Sequence, residues 1–160
     1  IEWAITGAFG DNLDEPAQRL AEKSGLQASD IASLRELGVC INYNGYGPSL
    51  DDLHFHPDAL YESLFEAEQP QAFLNSSTFR QLQQGYQQDI AASAALTPVV
   101  EELAFAVYQL PDAAWARRVS GVFSNDLVRA FPARAHAVLT ERHDGAFLVS
   151  VRAPFERRTG

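Results

Sequence analysis

The spacing of apolar residues changes once along this chain, at Thr97-Pro98, and that change limits the folds open to it. Upstream, apolar residues recur at helical spacing in successive segments. Downstream, the stretch VEELAFAVYQLP alternates about every second residue through Leu103, Phe105 and Val107, which is the pattern of a half-buried strand. We therefore expect a helical first part followed by a part that contains strands.

Four segments of the first part have the spacing of amphipathic helices. They cover residues 13–25, 29–38, 57–67 and 78–96. Pro16 and Pro57 suit the first turn of their helices, and Gly38 is expected to stop or kink its helix. Residues 1–9 fit a helix or a strand equally well because the run is too short to show a period.

The sequence makes more detailed predictions for two of these helices. The helix over residues 57–67 is expected to place Leu60, Leu64 and Phe65 on one side. Ser77 is expected to cap the long helix over 78–96, whose glutamine-rich composition suits a connector between modules better than a core helix.

The second part reads as a small α+β module. The sequence AAWARRVSGVFSNDLVRAF predicts a helix that is interrupted near Gly121, and Asp144-Gly145 joins two strands with the strongest hairpin signal in the chain. We therefore expect a helical module over residues 1–75, a linker helix over 76–97 and an α+β module over 98–160.

Composition narrows the class of protein. Residues 1–75 carry thirteen acids and three bases, a net charge of −10, and residues 76–160 carry eight acids and nine arginines, a net charge of +1. This balance argues against non-specific binding of duplex DNA, which needs a broad basic surface. The chain has no apolar run of about 18 residues and no signal peptide, so we expect no membrane partner and a cytoplasmic location.

Cysteine and methionine content add two expectations. The single cysteine, Cys40, excludes an internal disulfide and is expected to be a buried, inert thiol. The sequence contains no methionine and opens within an apolar run, so we expect it to be part of a longer protein.

Several acidic and imidazole side chains could carry chemistry. Asp11, in TGAFGDNLD, is either a helix cap or a ligand for a hard metal ion. In DDLHFHP, His54 is either a phosphate contact or an ordinary loop residue. Asp51 and Asp52 are either a paired acid site or the caps of a helical turn. For the other imidazoles we expect loop, structural or exposed roles: His56, His136 and His143.

The strand AFLVSVR places Ser150 and Arg152 on the same face, because side chains two residues apart point the same way. A hydroxyl beside a guanidinium fork matches the oxygens of a phosphate group. Ser124 and Asn125 form a second polar pair within VFSNDL. Either pair could instead tie neighbouring backbone together.

Three groups of motifs together resemble one family. GAFGDNL, then LGVCINYNGYG with LDDLHF, and then GVFSNDLVRAFP with AFLVSVRAP, resemble in that order the later part of a DHH-family phosphoesterase and its DHH-associated C-terminal domain. The resemblance covers nearly all 160 residues. RecJ-like single-strand exonucleases, oligoribonucleases and cyclic-dinucleotide phosphodiesterases share this architecture.

The resemblance implies an α/β fold, of which residues 1–75 are the mostly helical remainder of the DHH lobe. It implies an enzyme with two Mn²⁺ ions, or Mg²⁺ in their place, that hydrolyses phosphodiester or phosphoanhydride bonds. The expected substrates are oligonucleotides, dinucleotides or polyphosphate. Asp11 matches a metal ligand and His54 is the expected catalytic residue; the substrate would be held by Asn42, Asn44, Asn125, Ser150 and Arg152.

The chain lacks the DHH triplet and the glycine-rich loop of that family. We therefore expect the 160 residues alone to be inactive, with the full-length protein an enzyme. The alternative is a non-catalytic module that binds nucleotides or single-stranded nucleic acid, and a third option is an interaction scaffold. The sequence leaves the oligomeric state open, with a dimer as one option.

Overall fold

The computed structural model describes residues 1–154 and shows a mixed α/β chain, with helices first and a four-stranded sheet after them. The helices are α1 (Glu2–Gly10), α2 (Asp14–Lys23), α3 (Ala28–Tyr43), α4 (Pro57–Phe65), α5 (Pro70–Leu74), α6 (Ser77–Ala94) and α7 (Ala114–Ala130). The strands are β1 (Val100–Glu101), β2 (Phe105–Leu110), β3 (Ala135–Glu141) and β4 (Phe147–Arg152). The change of period at Thr97-Pro98 therefore marks the change from helices to strands.

The chain forms two compact units, Ile1–Gln87 and Gln88–Gly160. The division lies inside α6, so one continuous helix contributes its first part to unit 1 and its last part to unit 2. The scheme predicted from the sequence differs from this division, because it gives the whole helix to a separate linker.

Unit 1 is built around the close approach of α1 and α3. A Cβ atom added at Gly38 would lie 2.2 Å from the backbone oxygen of Thr6, and one added at Gly10 would lie 2.8 Å from the backbone oxygen of Gly38. Only glycine permits backbones to pass so closely. The expectation that Gly38 stops its helix is wrong, since α3 continues to Tyr43, and Gly38 serves this contact instead.

The apolar core of unit 1 consists of two clusters. One joins α1, α2 and α3 and contains Ile5, Phe9, Ala17, Ala21, Ile31 and Leu34. The other joins α3 to the later helices and contains Leu37, Cys40, Leu60, Phe73, Phe79 and Leu82. Both follow the helical spacing of the sequence, because residues three and four apart share one helix face.

Two details of α4 and α6 differ from the sequence expectation. Leu60 is buried, but Phe65 is 77% exposed, so α4 does not turn both toward the core. The hydroxyl that caps α6 belongs to Ser76, which accepts a hydrogen bond from the backbone N–H of Phe79 at 3.0 Å. Ser77 is the first residue inside the helix.

The four strands of unit 2 lie in the order β1-β2-β3-β4. Strands β2 and β3 are parallel and α7 connects them, whereas β1 pairs antiparallel with β2 and β4 pairs antiparallel with β3. The predicted hairpin at Asp144-Gly145 is confirmed as the β3–β4 connection. Gly145 adopts a φ of 77°, which glycine tolerates and which this turn requires.

The buried face of β2 is the opposite of the one the alternation pattern suggested. Ala106, Tyr108 and Leu110 are buried with α7 residues, while Leu103 is 99% exposed and precedes the strand. Both faces of this stretch are apolar in sequence, so the position of α7 decides which face is covered.

Helix α7 runs without interruption through Gly121, contrary to expectation. Its inward side carries Arg118, whose guanidinium donates to both carboxylate oxygens of Asp89 on α6, at 2.7 and 2.9 Å. Both side chains are almost fully buried, at 9% and 4% exposed. Within residues 1–154, no helix has the length and apolar character needed to cross a bilayer.

Candidate functional site

Three residues singled out from the sequence meet where the last turns of α7 face strand β4. The Nε atom of Arg152 donates to Oδ1 of Asn125 at 3.2 Å, and its Nη1 atom donates to Oγ of Ser150 at 3.0 Å. Ser150 faces the helix because its partner in the sheet is Val138, which is buried under α7. The expected pairing of hydroxyl and guanidinium is therefore present, with an amide beside it.

The charge of Arg152 is the distinctive property of this cluster. Its partners among the described residues are neutral oxygens: Asn125, Ser150 and the backbone carbonyl of Val151. Most other described arginines pair with a carboxylate, namely Arg19, Arg35, Arg117, Arg118, Arg129, Arg134 and Arg142. Arg152 is half-buried, so its positive charge is fixed in place without a described counter-ion.

The hydroxyl groups of the cluster are arranged as donors. Ser124 is fully buried and donates its hydrogen to the backbone oxygen of Ser120 at 2.7 Å. Its Oγ atom lies 3.3 Å from that of Ser150, a long separation for two hydroxyls. Ser150 accepts from Arg152, so the hydrogen of its own hydroxyl can turn away from Ser124 toward a ligand atom at normal hydrogen-bond distance. The amide nitrogen of Asn125 is also a donor, because its oxygen already accepts from the guanidinium.

His136 lies next to this cluster, although no local sequence signal connects the two. It pairs with Arg152 across the β3–β4 ladder, so both side chains leave the same face of the sheet. The ring is buried, and its Nε2 atom lies 3.4 Å from the backbone oxygen of Phe131. Burial lowers the pKa of the His136 imidazole below its ordinary value. Only the strand register reveals this neighbour.

Asp11 lies in unit 1 at the end of α1, and its side chain is exposed. It lines a groove of about 640 Å³ formed by α1, α3 and α4. Asn42 lines the same groove and donates from Nδ2 to the hydroxyl of Tyr46 at 3.0 Å. The structure thus brings together these two predicted site residues.

Asn44 and His54 occupy different surroundings within unit 1. Both ends of the buried Asn44 amide bond the backbone of Phe55, at 2.9 and 3.0 Å, so this side chain fixes the loop. The ring of His54 packs over Gly85, where an added Cβ would lie 2.4 Å from its Cε1 atom. Neither residue lines the groove that contains Asp11.

Two of the remaining acidic and imidazole candidates, Asp52 and His56, have local partners. Asp52 is buried and accepts from the hydroxyl of Ser49 at 3.0 Å. His56 hydrogen-bonds Asp58 at the start of α4, and this contact lowers the pKa of the Asp58 carboxyl. Both contacts join residues two or three positions apart in the chain, and the capping and loop roles stay predictions.

The described residues do not fit a two-metal centre. Across residues 1–154, no group of three or more His, Cys, Asp and Glu side chains lies together in a way that could hold a metal ion. A hard divalent ion takes about six oxygen ligands, and Asp11 supplies one carboxylate. We therefore assign no reaction step to a metal held by these residues.

No protein-family model matches this chain, and neither a curated protein nor a solved structure matches it. The resemblance to DHH phosphoesterases consequently depends on the motifs of the sequence alone.

Proposed function

We propose that unit 2 binds a phosphate group of a nucleotide or a single-stranded nucleic acid at the junction of α7 and β4. The observation that supports this most directly is the guanidinium of Arg152, which neutral oxygens hold in position. A phosphate oxygen would supply the negative charge that the described surroundings lack, and charge-assisted hydrogen bonds of this kind are the strong ones.

The donors of the cluster point to phosphate rather than to a carboxylate. A guanidinium, the Ser150 hydroxyl and the Asn125 amide offer hydrogens from three separate groups. A tetrahedral phosphate presents oxygens in several directions and can accept from all of them, whereas a carboxylate presents two oxygens in one plane.

In the wider proposal, this site holds the substrate of a DHH-type phosphoesterase. The motif resemblance supports that role, and the convergence of Asn125, Ser150 and Arg152 agrees with it. Manganese-dependent hydrolysis stays a prediction from the resemblance. The binding proposal does not require it, because none of its donors is a metal ligand.

The test is to titrate the 160-residue chain with three probes: inorganic phosphate, AMP and a five-nucleotide single-stranded oligothymidylate. Calorimetry gives the dissociation constants, and amide chemical shifts of Ser150 and Asn125 report the place of binding. We expect Arg152→Gln to weaken binding by about 10- to 100-fold, which corresponds to the loss of about 1.4–2.8 kcal/mol, the range of a charged hydrogen bond. Ser150→Ala should weaken it by several-fold.

Arg129→Gln is the matched control, because it removes the same charge from α7 at a side chain that is 74% exposed and paired with Asp126. It should leave the dissociation constants within about two-fold. Equal losses for Arg152→Gln and Arg129→Gln would show only general electrostatic attraction and would refute the site.

A second measurement separates binding from catalysis. The chain is incubated with Mn²⁺ and bis(p-nitrophenyl) phosphate, and the release of nitrophenolate is followed. We expect no hydrolysis above the metal alone, and we expect phosphate binding to persist in EDTA. Hydrolysis that Asp11→Asn abolishes would show that these residues do assemble a metal centre.

A further inference from the structure

The groove between α1, α3 and α4 has no part in the phosphate site. It is lined mainly by apolar side chains, including Trp3, Ile41 and Leu64. Gly7 also lines it, and a Cβ added at Gly7 would meet no atom within 4 Å. A partner can therefore approach the α1 backbone closely at this point.

Two aromatic side chains of α4 are left open to solvent at this groove. Tyr61 is 64% exposed and Phe65 is 77% exposed, one helical turn apart. Their rings stack with centroids 5.9 Å apart. Large apolar side chains that cluster on a surface in this way usually mark an interaction site.

The charge of the groove decides what kind of partner suits it. Asp11 and Glu68 line it, and its described lining includes no Lys, Arg or His. Residues 1–75 as a whole carry thirteen acids against three bases. An anionic ligand such as a nucleotide would be repelled, whereas a cationic one would gain salt bridges and contacts with the faces of the two exposed rings.

We propose that this groove binds a basic amphipathic helix of a partner protein. The apolar face of that helix would lie along the groove over Gly7. Its arginine or lysine side chains would reach Asp11 and Glu68 at the rim and cover the rings of Tyr61 and Phe65. The described residues that line the groove lie on helices and on the turns after α1 and α4 and offer no sheet edge with which an extended strand could pair, so a helix is the better fit. This proposal is independent of the phosphate site in unit 2.

The test uses two synthetic 16-residue peptides with the same leucine and alanine face. In one the flanking polar positions are arginine, and in the other they are glutamate. Fluorescence anisotropy with the 160-residue chain at about 50 mM salt, where charge effects are strong, gives the affinities. We expect the arginine peptide to bind at least ten-fold more tightly and to shift the emission of Trp3, which lines the groove.

Gly7→Leu is the decisive variant, because a Cβ added at this position meets no atom within 4 Å and the new side chain therefore begins in open space. It should weaken binding of the arginine peptide by at least ten-fold. Gly121→Leu is the matched control: it lies on α7 in unit 2, is also exposed, and an added Cβ there also meets no atom within 4 Å. That control should keep the full affinity, and circular dichroism confirms that both variants fold.

Four results would overturn the proposal. Equal affinity for the two peptides would show that charge does not select the ligand. No effect of Gly7→Leu would show that the peptide does not bind in this groove. Adenosine that displaces the arginine peptide would make the groove a small-molecule site. Sedimentation that shows a dimer broken by Phe65→Ser would assign the surface to a second copy of the chain.

Discussion

The buried pair of Asp89 and Arg118 allows the most quantitative prediction for this fold. Replacing Asp89 by Asn or Arg118 by Met leaves the partner charge buried without its main counter-ion. Removing one member of such a pair costs about 3–5 kcal/mol of unfolding free energy. The exposures of 4% and 9%, with two hydrogen bonds of 2.7 and 2.9 Å, place this pair in that class.

That cost is large for a unit of this size. At about 0.05–0.15 kcal/mol per residue, a unit of roughly 70 residues has a total stability of about 4–10 kcal/mol. With a urea dependence of about 1 kcal/mol per molar, each single variant should lower the unfolding midpoint of unit 2 by about 3–5 M or unfold the unit in buffer. The double variant Asp89→Leu with Arg118→Met should recover most of the loss, because no charge then remains buried.

The assay uses the two tryptophans of the chain, one in each unit. In a Trp3→Phe background the remaining tryptophan, Trp115, packs against the core of unit 2 and reports its unfolding in urea. The control is the exposed pair of Arg129 and Asp126, at 74% and 51% exposed, where Arg129→Met should cost less than about 1 kcal/mol. Single losses below 1 kcal/mol for the buried pair, with no coupling in the double variant, would refute the reasoning.

Three further predictions concern other buried groups. Gly38→Ala should destabilise unit 1 by about 3 kcal/mol in urea unfolding, because its Cβ would lie 2.2 Å from the Thr6 oxygen, whereas Gly7→Ala should cost nothing; similar midpoints for both would contradict the close α1–α3 contact. The pKa of His136 is lowered in the folded state, so the unfolded state takes up the proton first as pH falls below about 6.5. The unfolding free energy of unit 2 should therefore decrease from pH 7 to pH 5, and His136→Gln should flatten this slope; an unchanged slope would exclude His136 as its source. Burial raises the pKa of the Cys40 thiol to about 12, so a disulfide reagent at pH 8 should react only after unfolding in urea; rapid reaction of the native chain would disprove the burial.

Local sequence signals predicted the elements whose cause is local. The helical spacing of apolar residues predicted α2, α4 and α6. The Asp144-Gly145 pair predicted the hairpin, because the turn of the hairpin requires a residue that tolerates a positive φ. The prediction that Ser150 and Arg152 share one face of their strand also depends only on local sequence, because side chains two residues apart in a strand point the same way.

The failures share a different cause, which is packing between segments far apart in the chain. Gly38 resembles a helix stop in its own segment, and only the passage of α1 shows why it is glycine. The covered face of β2 depends on α7, because both faces of that strand are apolar. His136 becomes a neighbour of Arg152 only through the strand register.

The shared helix α6 has a practical consequence for anyone who divides this chain. A fragment that begins at residue 98, after the last turn of α6, would contain the whole sheet and α7 but not Asp89. Arg118 would then carry a buried charge without its carboxylate, and the shortened polypeptide should be poorly folded for that reason alone. Expression of the C-terminal half should therefore start upstream of Gln88, with several residues of extra helix retained.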